Sequence, residues 1–132
     1  MIALVEESLR LIEKNFPETF EEFKSLGLAK DGMYKRLEFS IQLLLDELSK
    51  IRKDLSEEPV FSYGDIIKEL HEKGVLSDDA KEKVDFLIQL REILIYNYDL
   101  LSDEIAFRNM KEYINTIREV LSAVTTYLEE TK

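Results

Sequence analysis

One segment of the sequence combines a positive charge with an apolar helix. The segment is LIQLREILIYNYD, residues 87–99, and its arginine is Arg91. On an ideal helix with about 100° per residue, Arg91 lies near the centre of a wide apolar face. The residues of this face fall within about 80° of the arginine and are Val84, Leu87, Ile88, Leu94, Ile95 and Tyr98. A guanidinium can hold a phosphate or a carboxylate, because it is always charged and presents several hydrogen-bond donors.

A buried guanidinium needs partners, because leaving it unpaired costs several kcal/mol. Arg91 is therefore expected to pair with an acidic side chain of its own chain, to face a second subunit, or to line a cavity. Asp46 is the candidate acid, because it interrupts the apolar run LLLDEL of another predicted helix. The other interpretation is a catalytic or phosphate-holding arginine at a dimer interface. The spacing alone does not decide between the two.

Two tyrosines follow Arg91 and could add hydroxyl chemistry. Tyr98 lies on the same helix face, where an aromatic core residue with a hydrogen-bonded hydroxyl is the structural alternative. Tyr96 lies about 140° around an ideal helix from Arg91. The side chains of Tyr96 and Arg91 therefore meet only if the helix end unwinds or the arginine reaches across.

Helical periodicity accounts for the elements that must position these residues. Amphipathic spacing predicts helices over residues 1–15, 18–26, 31–55, 65–73, 78–98 and 103–130. Ser62, Ser77 and Ser102 have the positions of helix N-caps. No segment alternates with period two, so no strand is predicted. The sequence predicts an all-α fold, an up-and-down bundle of four main helices with one or two short helices, as a single domain over residues 1–132.

Composition excludes several kinds of function. The 132 residues contain no cysteine and one histidine, His71, which excludes disulfides, thiolate nucleophiles and sites that need two histidines of one chain. We expect no metal and no cofactor. The net charge of -10 disfavours tight non-specific binding of nucleic acid, although it leaves room for a local basic site at a subunit junction. The short apolar runs and the acidic N-terminal segment predict a cytoplasmic chain with no membrane partner.

Three further residues are interpreted as surface positions. His71 is expected to face solvent near the C-terminus of its helix, where a cation is favoured. Arg108 and Lys111 lie one helical turn apart and could border an RNA path. A solvated helix face is the favoured interpretation of that pair, because charged side chains are mostly exposed.

The order of these motifs resembles the HEPN superfamily, specifically the HepT-like toxins of two-gene HEPN/MNT toxin–antitoxin modules. The signature of those toxins, R-N-x-x-V-H-x-Y, ends the penultimate main helix, and the corresponding residues here read REILIYNY, from Arg91 to Tyr98. KDGMYKRLEFSIQLLLDEL resembles the second-helix run, in which an arginine and a later aspartate recur, here Arg36 and Asp46. YGDIIKELHEKGVLSDDAKEKV resembles the lead into the motif helix, and YDLLSDEIAFRNMKEYINTIREVL resembles the last helix. The resemblance covers about residues 18–128.

The resemblance implies a helical bundle that forms a homodimer, in which two R-x4-H motifs build one site that cleaves RNA without a metal. It also implies an MNT-type nucleotidyltransferase antitoxin as partner. In this branch the antitoxin adenylylates the motif tyrosine, which corresponds to Tyr98. By the same resemblance Arg91 and Tyr96 take the catalytic positions. The supporting positions are Asp46, Glu92 and Arg36.

The chain departs from the signature at two positions. Tyr96 stands in place of the motif histidine, and Glu92 stands in place of the asparagine. Metal-free RNA cleavage needs a group that moves the proton of the 2′-hydroxyl, and an imidazole titrates at about pH 6.5 whereas a phenol titrates at about pH 10. Glu92 adds negative charge where a phosphate would approach. Both changes predict weak or absent ribonuclease activity.

The sequence is therefore compatible with three functions. The first is a HepT-like toxin whose dimer cuts or binds RNA, with Arg91 on the phosphate. The second is a non-catalytic helical homodimer that binds a nucleotidyltransferase and keeps Tyr98 available for modification. The third is a helical subunit with no role in nucleic-acid chemistry. The missing histidine favours the second over the first as the biochemical activity.

Overall fold

A computed structural model describes residues 1–131, apart from the side chain of Leu100, and this part of the chain contains helices and no strand. The α-helices are α1 (Ile2–Asn15), α2 (Phe20–Lys24), α3 (Leu28–Leu55), α4 (Tyr63–Glu72), α5 (Asp78–Tyr96) and α6 (Asp103–Glu130). One turn of 3-10 helix, Tyr98–Leu100, joins α5 to α6. The predicted all-α bundle is confirmed, with α1, α3, α5 and α6 as its main helices. None of the described helices is both long and apolar enough to cross a membrane.

The long helix α3 organises the bundle, because it packs against α1, α4, α5 and α6. Its buried apolar side chains recur every three or four residues and so form a stripe along the helix. They are Met33, Tyr34, Leu37, Ile41, Leu44, Leu45, Leu48 and Ile51. Each large aliphatic side chain buried in this way contributes about 1.5–3 kcal/mol relative to exposure. The stripe therefore fixes the position of α3 against its neighbours.

The serines predicted as N-caps occupy those positions. The side chains of Ser62, Ser77 and Ser102 each accept a hydrogen bond from the backbone N–H three residues later. The helices they begin are α4, α5 and α6. Ser62 therefore places the start of α4 at Tyr63, two residues earlier than the predicted helix.

Other helix boundaries differ from the predicted ones. α3 begins at Leu28, three residues early, because Gly27 ends the preceding turn with a positive φ of 61° that glycine adopts without strain. α2 is shorter than predicted, because Thr19 caps it and Ser25 ends it. α5 ends at Tyr96 and not at Tyr98, because Asn97 leaves the helical conformation at φ -129° and ψ 34°. The chain then turns towards the start of α3.

A buried ion pair attaches α4 to α3. Arg52 is 5% exposed, and its Nε donates a 2.7 Å hydrogen bond to a carboxylate oxygen of Glu69. This hydrogen bond is the main reason that the pKa of Glu69 lies below its ordinary value. The structural arginine–acid pair that the sequence suggested for Arg91 is thus formed by a different arginine. It sets the orientation of α4, whose first turn forms one side of the site described below.

Candidate functional site

Arg91 lines an open cleft between α5 and the start of α4, with a volume of about 500 Å³. The cleft is lined by Val60, Phe61, Ser62, Tyr63, Gly64, Ile66, Ile88, Arg91, Glu92 and Tyr96. Arg91 is half-buried. On the helix it lies about 40° from the centre of the buried stripe of α5. Arg91 therefore lines a cavity at the edge of the core, which was one of the three locations expected for it.

The partners of Arg91 are uncharged. Its Nε donates a 2.7 Å hydrogen bond to the Oε1 of Gln42 on α3. Its guanidinium lies over the ring of Tyr63, 5.3 Å from the centroid, in cation–π contact. Among the described residues no carboxylate lies within ion-pair distance of Arg91, so the direct pair with Asp46 is not formed. Instead the Nε2 of Gln42 donates to Asp46 at 2.7 Å and to the hydroxyl of Tyr63 at 3.1 Å.

Tyr96 and Glu92 line the same cleft as Arg91. Because α5 stays helical through Tyr96, the two side chains share the cleft with the helix end intact. Tyr96 is 72% exposed and Phe61 is 91% exposed. The cleft therefore combines a guanidinium with two solvent-exposed aromatic rings and one acid. Such a set can bind a phosphate group and stack against flat apolar groups.

Tyr98 lies outside the cleft, against the N-terminal turns of α3. Its hydroxyl donates a hydrogen bond to the carboxylate of Asp31, and its ring meets Tyr34 edge-on at 5.7 Å. Burial, followed by the carboxylate of Asp31, raises the pKa of Tyr98 above the ordinary value of 10.0. Tyr98 is 42% exposed. Its phenol is thus protonated and accessible from solvent.

A second tyrosine–carboxylate pair lies beside Tyr98. The hydroxyl of Tyr34 donates to Asp103 at 2.7 Å, and Lys30 donates to the other oxygen of that carboxylate at 2.8 Å. Burial acts to raise the pKa of Asp103, but the hydrogen bonds from Lys30 and Tyr34 outweigh it and hold the pKa below its ordinary value. This pair fixes the start of α6 against α3.

Arg36 and His71 lie away from the Arg91 cleft. Arg36 is exposed and donates a 3.4 Å hydrogen bond to Ser8 of α1. His71 lies in the last turn of α4, as expected, with its side chain 33% exposed and its Nε2 2.6 Å from a carboxylate oxygen of Asp78. The short connection from α4 to α5 brings these two residues together.

The basic pair on α6 is part of a solvated helix face. Arg108 forms an exposed ion pair with Glu104 at 2.7 Å. Together with Lys111 it borders a separate cleft beside residues 16–18. Among residues 1–131 there is no group of three or more metal-ligating side chains that could hold a metal ion.

Sequence reasoning missed Gln42, Tyr63 and Phe61. Gln42 carries one weak signal, because it stands four residues before Asp46 and so on the same face of α3. Nothing in the spacing shows that this face meets Arg91. Phe61 and Tyr63 lie in or next to the irregular segment between α3 and α4, where periodicity carries no information.

The sequence was compared with models of known protein families. A model of the family described as Ribonuclease HepT-like matches residues 5–124. This chain belongs to the HepT-like ribonuclease family. A comparison of the HepT-like chain with curated proteins found no match.

The fold of the HepT-like chain is similar to that of a solved structure, YutE from Bacillus subtilis, a cytosolic protein of unknown function. The TM-score is 0.76 at 18% sequence identity, over 98% of this chain and 87% of YutE. At that identity the likeness concerns the fold alone. It agrees with a HEPN-like helical bundle.

Proposed function

We propose that this HepT-like chain is the toxin of a HEPN/MNT module and that it binds RNA in the Arg91 cleft. One observation carries the proposal. Arg91 is fixed through its Nε and its flat face, while its two terminal nitrogens have no hydrogen-bond partner among the described residues. Those nitrogens are the ones that bind a phosphate in a bidentate manner.

The aromatic rings of the cleft support RNA as the ligand. Phe61 and Tyr96 are exposed on the two sides that form the cleft, the segment before α4 and the end of α5. Stacking of an unpaired base on an aromatic ring is worth about 1–3 kcal/mol per base. With a net charge of -10, the chain lacks a general attraction for RNA, so binding depends on this local site.

Cleavage is expected to be slow. The residues that line the cleft include no histidine, and His71 is held by Asp78 between α4 and α5. Tyr96 has the position of the motif histidine, and a phenol is a poor base at neutral pH. In this proposal water accepts the proton of the 2′-hydroxyl, whose oxygen bonds to phosphorus as the bond from phosphorus to the 5′-oxygen breaks. Tyr96 donates a proton to the leaving 5′-oxygen, and Arg91 stabilises the charge on the phosphate.

The second candidate is a non-catalytic homodimer that binds an MNT-type nucleotidyltransferase. The exposed phenol of Tyr98 favours it, because a nucleotidyltransferase could reach that hydroxyl without unfolding the bundle. Asp31 already accepts the hydrogen bond of this hydroxyl. It could take the proton when the phenol oxygen attacks the α-phosphorus of a nucleoside triphosphate and pyrophosphate leaves. Both candidates assume a homodimer in the cytoplasm, as the family resemblance implies.

The test uses a fluorescent single-stranded RNA oligonucleotide, with binding and cleavage measured on the same samples. We expect Arg91→Ala to weaken binding by about tenfold or more, because it removes a charged hydrogen-bond donor from the phosphate. Arg108→Ala is the matched control, since it removes an equal charge from the exposed face of α6. Equal affinity in the two variants would contradict an RNA site at Arg91. No binding of the RNA by the wild-type protein would favour the second candidate.

A further inference from the structure

Gln42 connects three side chains of the Arg91 cleft. Its Oε1 accepts from the Nε of Arg91 at 2.7 Å, and its Nε2 donates to Asp46 at 2.7 Å and to the hydroxyl of Tyr63 at 3.1 Å. The ring of Tyr63 in turn lies under the guanidinium at 5.3 Å. The neutral side chain of Gln42 on α3 therefore links the start of α4 to Arg91 on α5.

The orientation of the Gln42 amide is set by Asp46. An ionised carboxylate only accepts hydrogen bonds, so the amide must turn its NH₂ group towards Asp46. The amide oxygen then points the other way and meets the Nε–H of Arg91. If Asp46 were absent, the amide could rotate and present NH₂ to a guanidinium that has only donors.

The neutrality of Gln42 has an electrostatic consequence. A carboxylate in direct contact with Arg91 would cancel its charge and occupy the nitrogens that face a ligand. With the amide between them, Asp46 contributes orientation while the positive charge of Arg91 stays available in the cleft. Asp46 contacts Arg91 only through Gln42, so the acid does not neutralise the guanidinium.

We propose that Gln42 is a positioning residue that holds Arg91 for an anionic ligand, with its own amide oriented by Asp46. The effect on RNA rests on the proposed function, whereas the hydrogen bond to Arg91 does not. The two parts are therefore tested by separate measurements. Gln89, the other glutamine, is exposed on α5 and provides the matched control.

The first measurement is exchange of the arginine Nε–Hε protons by ¹⁵N NMR, with the Arg91 signal assigned by its loss in Arg91→Lys. Gln42→Ala should speed the exchange of the Arg91 proton by about fivefold, the equivalent of one lost hydrogen bond. Asp46→Ala should speed it by a smaller factor, because the amide loses its fixed orientation. Gln89→Ala should leave it unchanged. An unchanged Arg91 signal in Gln42→Ala overturns the positioning role.

The second measurement is affinity for a fluorescent single-stranded RNA, with the double variant Gln42→Glu/Asp46→Asn. This double substitution keeps the total charge and a chain of hydrogen bonds. It moves the carboxylate from position 46 to position 42, where it contacts Arg91 directly. We expect slow Nε–Hε exchange to persist while the RNA affinity falls by about tenfold. Wild-type affinity in the double variant would overturn the role of the neutral amide.

The two measurements separate the two proposals. If the wild-type protein binds no RNA, the proposed function fails, and the exchange of the Arg91 proton still decides whether Gln42 positions it. If the protein binds RNA and Gln42→Ala changes neither exchange nor affinity, the positioning role fails and the RNA site stands.

Discussion

Arg91 and Gln42 are 49 residues apart in the sequence and joined by a 2.7 Å hydrogen bond through the Nε of the arginine. The bond links the motif helix α5 to the long central helix α3. Because the partner is neutral, the bond fixes the guanidinium without cancelling its charge. A charged side chain can therefore lie at the edge of the core and still serve an anionic ligand in the cleft.

Tyr96→His is expected to increase RNA cleavage. The substitution places an imidazole at the motif position, in the cleft that Arg91 already lines, and an imidazole moves protons efficiently near pH 7. Acid–base catalysis of this kind contributes about 10²–10⁴-fold, so a gain of at least about tenfold is expected. The measurement is single-turnover cleavage of a labelled RNA at pH 7.

The gain must depend on Arg91 if the two residues act in one site. The double variant Arg91→Ala/Tyr96→His should cleave no faster than wild type. Tyr96→Phe should lose the residual activity, if the phenol supplies a proton. A Tyr96→His variant that shows no increase would mean that the cleft does not place residue 96 at the reacting phosphate.

Tyr98 is expected to ionise only above pH 10. Burial and the hydrogen bond to Asp31 raise its pKa, so the folded state keeps the phenol protonated after the unfolded state loses the proton. The stabilisation is complete below the ordinary pKa of 10.0 and is lost as the pH rises through the raised value. The ultraviolet absorbance of phenolate, taken as wild type minus Tyr98→Phe, measures this step.

Asp31→Asn isolates the carboxylate as one cause of that shift. It should lower the pKa of Tyr98, because the phenolate would no longer face a negative charge. Asp99→Asn is the matched control, since it removes an exposed carboxylate adjacent in sequence. If both variants titrate alike, the carboxylate of Asp31 does not raise the pKa of Tyr98, and burial together with the charge of Asp103 accounts for it.

The fold was predictable because the signals that form each helix lie within the helix or directly before it. The amphipathic spacing of α3 and the N-cap serines of α4, α5 and α6 act over three or four residues, which a sequence shows directly. The helix boundaries did not follow from the sequence alone, because contacts between helices decide them. Tyr98 illustrates this, since α5 ends before it and its hydroxyl is bound by Asp31 on α3. That contact spans 67 residues of sequence.

The candidate site was only half predictable for the same reason. Arg91, Glu92 and Tyr96 lie within six residues of one helix, so the sequence shows that they are close. Tyr96 is about 140° around the helix from Arg91, however, so the spacing did not predict that they line one cleft. Gln42 and Tyr63 come from other helices, and a period along one helix carries no information about the facing side chain. The expected partner, Asp46, lies on the helix that faces Arg91, but it contacts Gln42 and not Arg91 itself.

Phe61→Asp is expected to weaken a homodimer. Phe61 is 91% exposed beside the Arg91 cleft, and an exposed aromatic ring near Tyr96 is suited to contact a second copy. A charged side chain at a contact between two copies weakens that contact, because it loses solvent without gaining a partner. Analytical ultracentrifugation over a range of concentrations gives the monomer–dimer equilibrium.

Leu28→Asp controls for surface charge in the dimer experiment. Leu28 is 88% exposed at the start of α3, outside the cleft lining, where an aspartate is compatible with the helix N-terminus. It should leave the dimer intact. If both variants dimerise as the wild type does, the cleft face is not the interface.

Arg118→Ala is expected to destabilise the fold in a pH-dependent manner. Arg118 of α6 makes two hydrogen bonds to the carboxylate of Glu13 on α1, at 2.7 and 2.9 Å. These bonds hold the pKa of Glu13 below its ordinary value of 4.5, against the opposing effect of burial. Because both side chains are partly exposed, solvent screening limits the loss to about 1 kcal/mol.

The sign of the pH dependence follows from the lowered pKa of Glu13. The stabilisation is present above about pH 4.5, where the carboxylate is ionised in both states, and is lost as the pH falls through the lower pKa of the folded state. Urea unfolding should therefore show a larger effect of Arg118→Ala at pH 7 than at about pH 3. Arg108→Ala, on the exposed face of the same helix, should change little at either pH. An Arg118→Ala effect of equal size at both values would mean that Arg118 stabilises the bundle by packing and not by its charge.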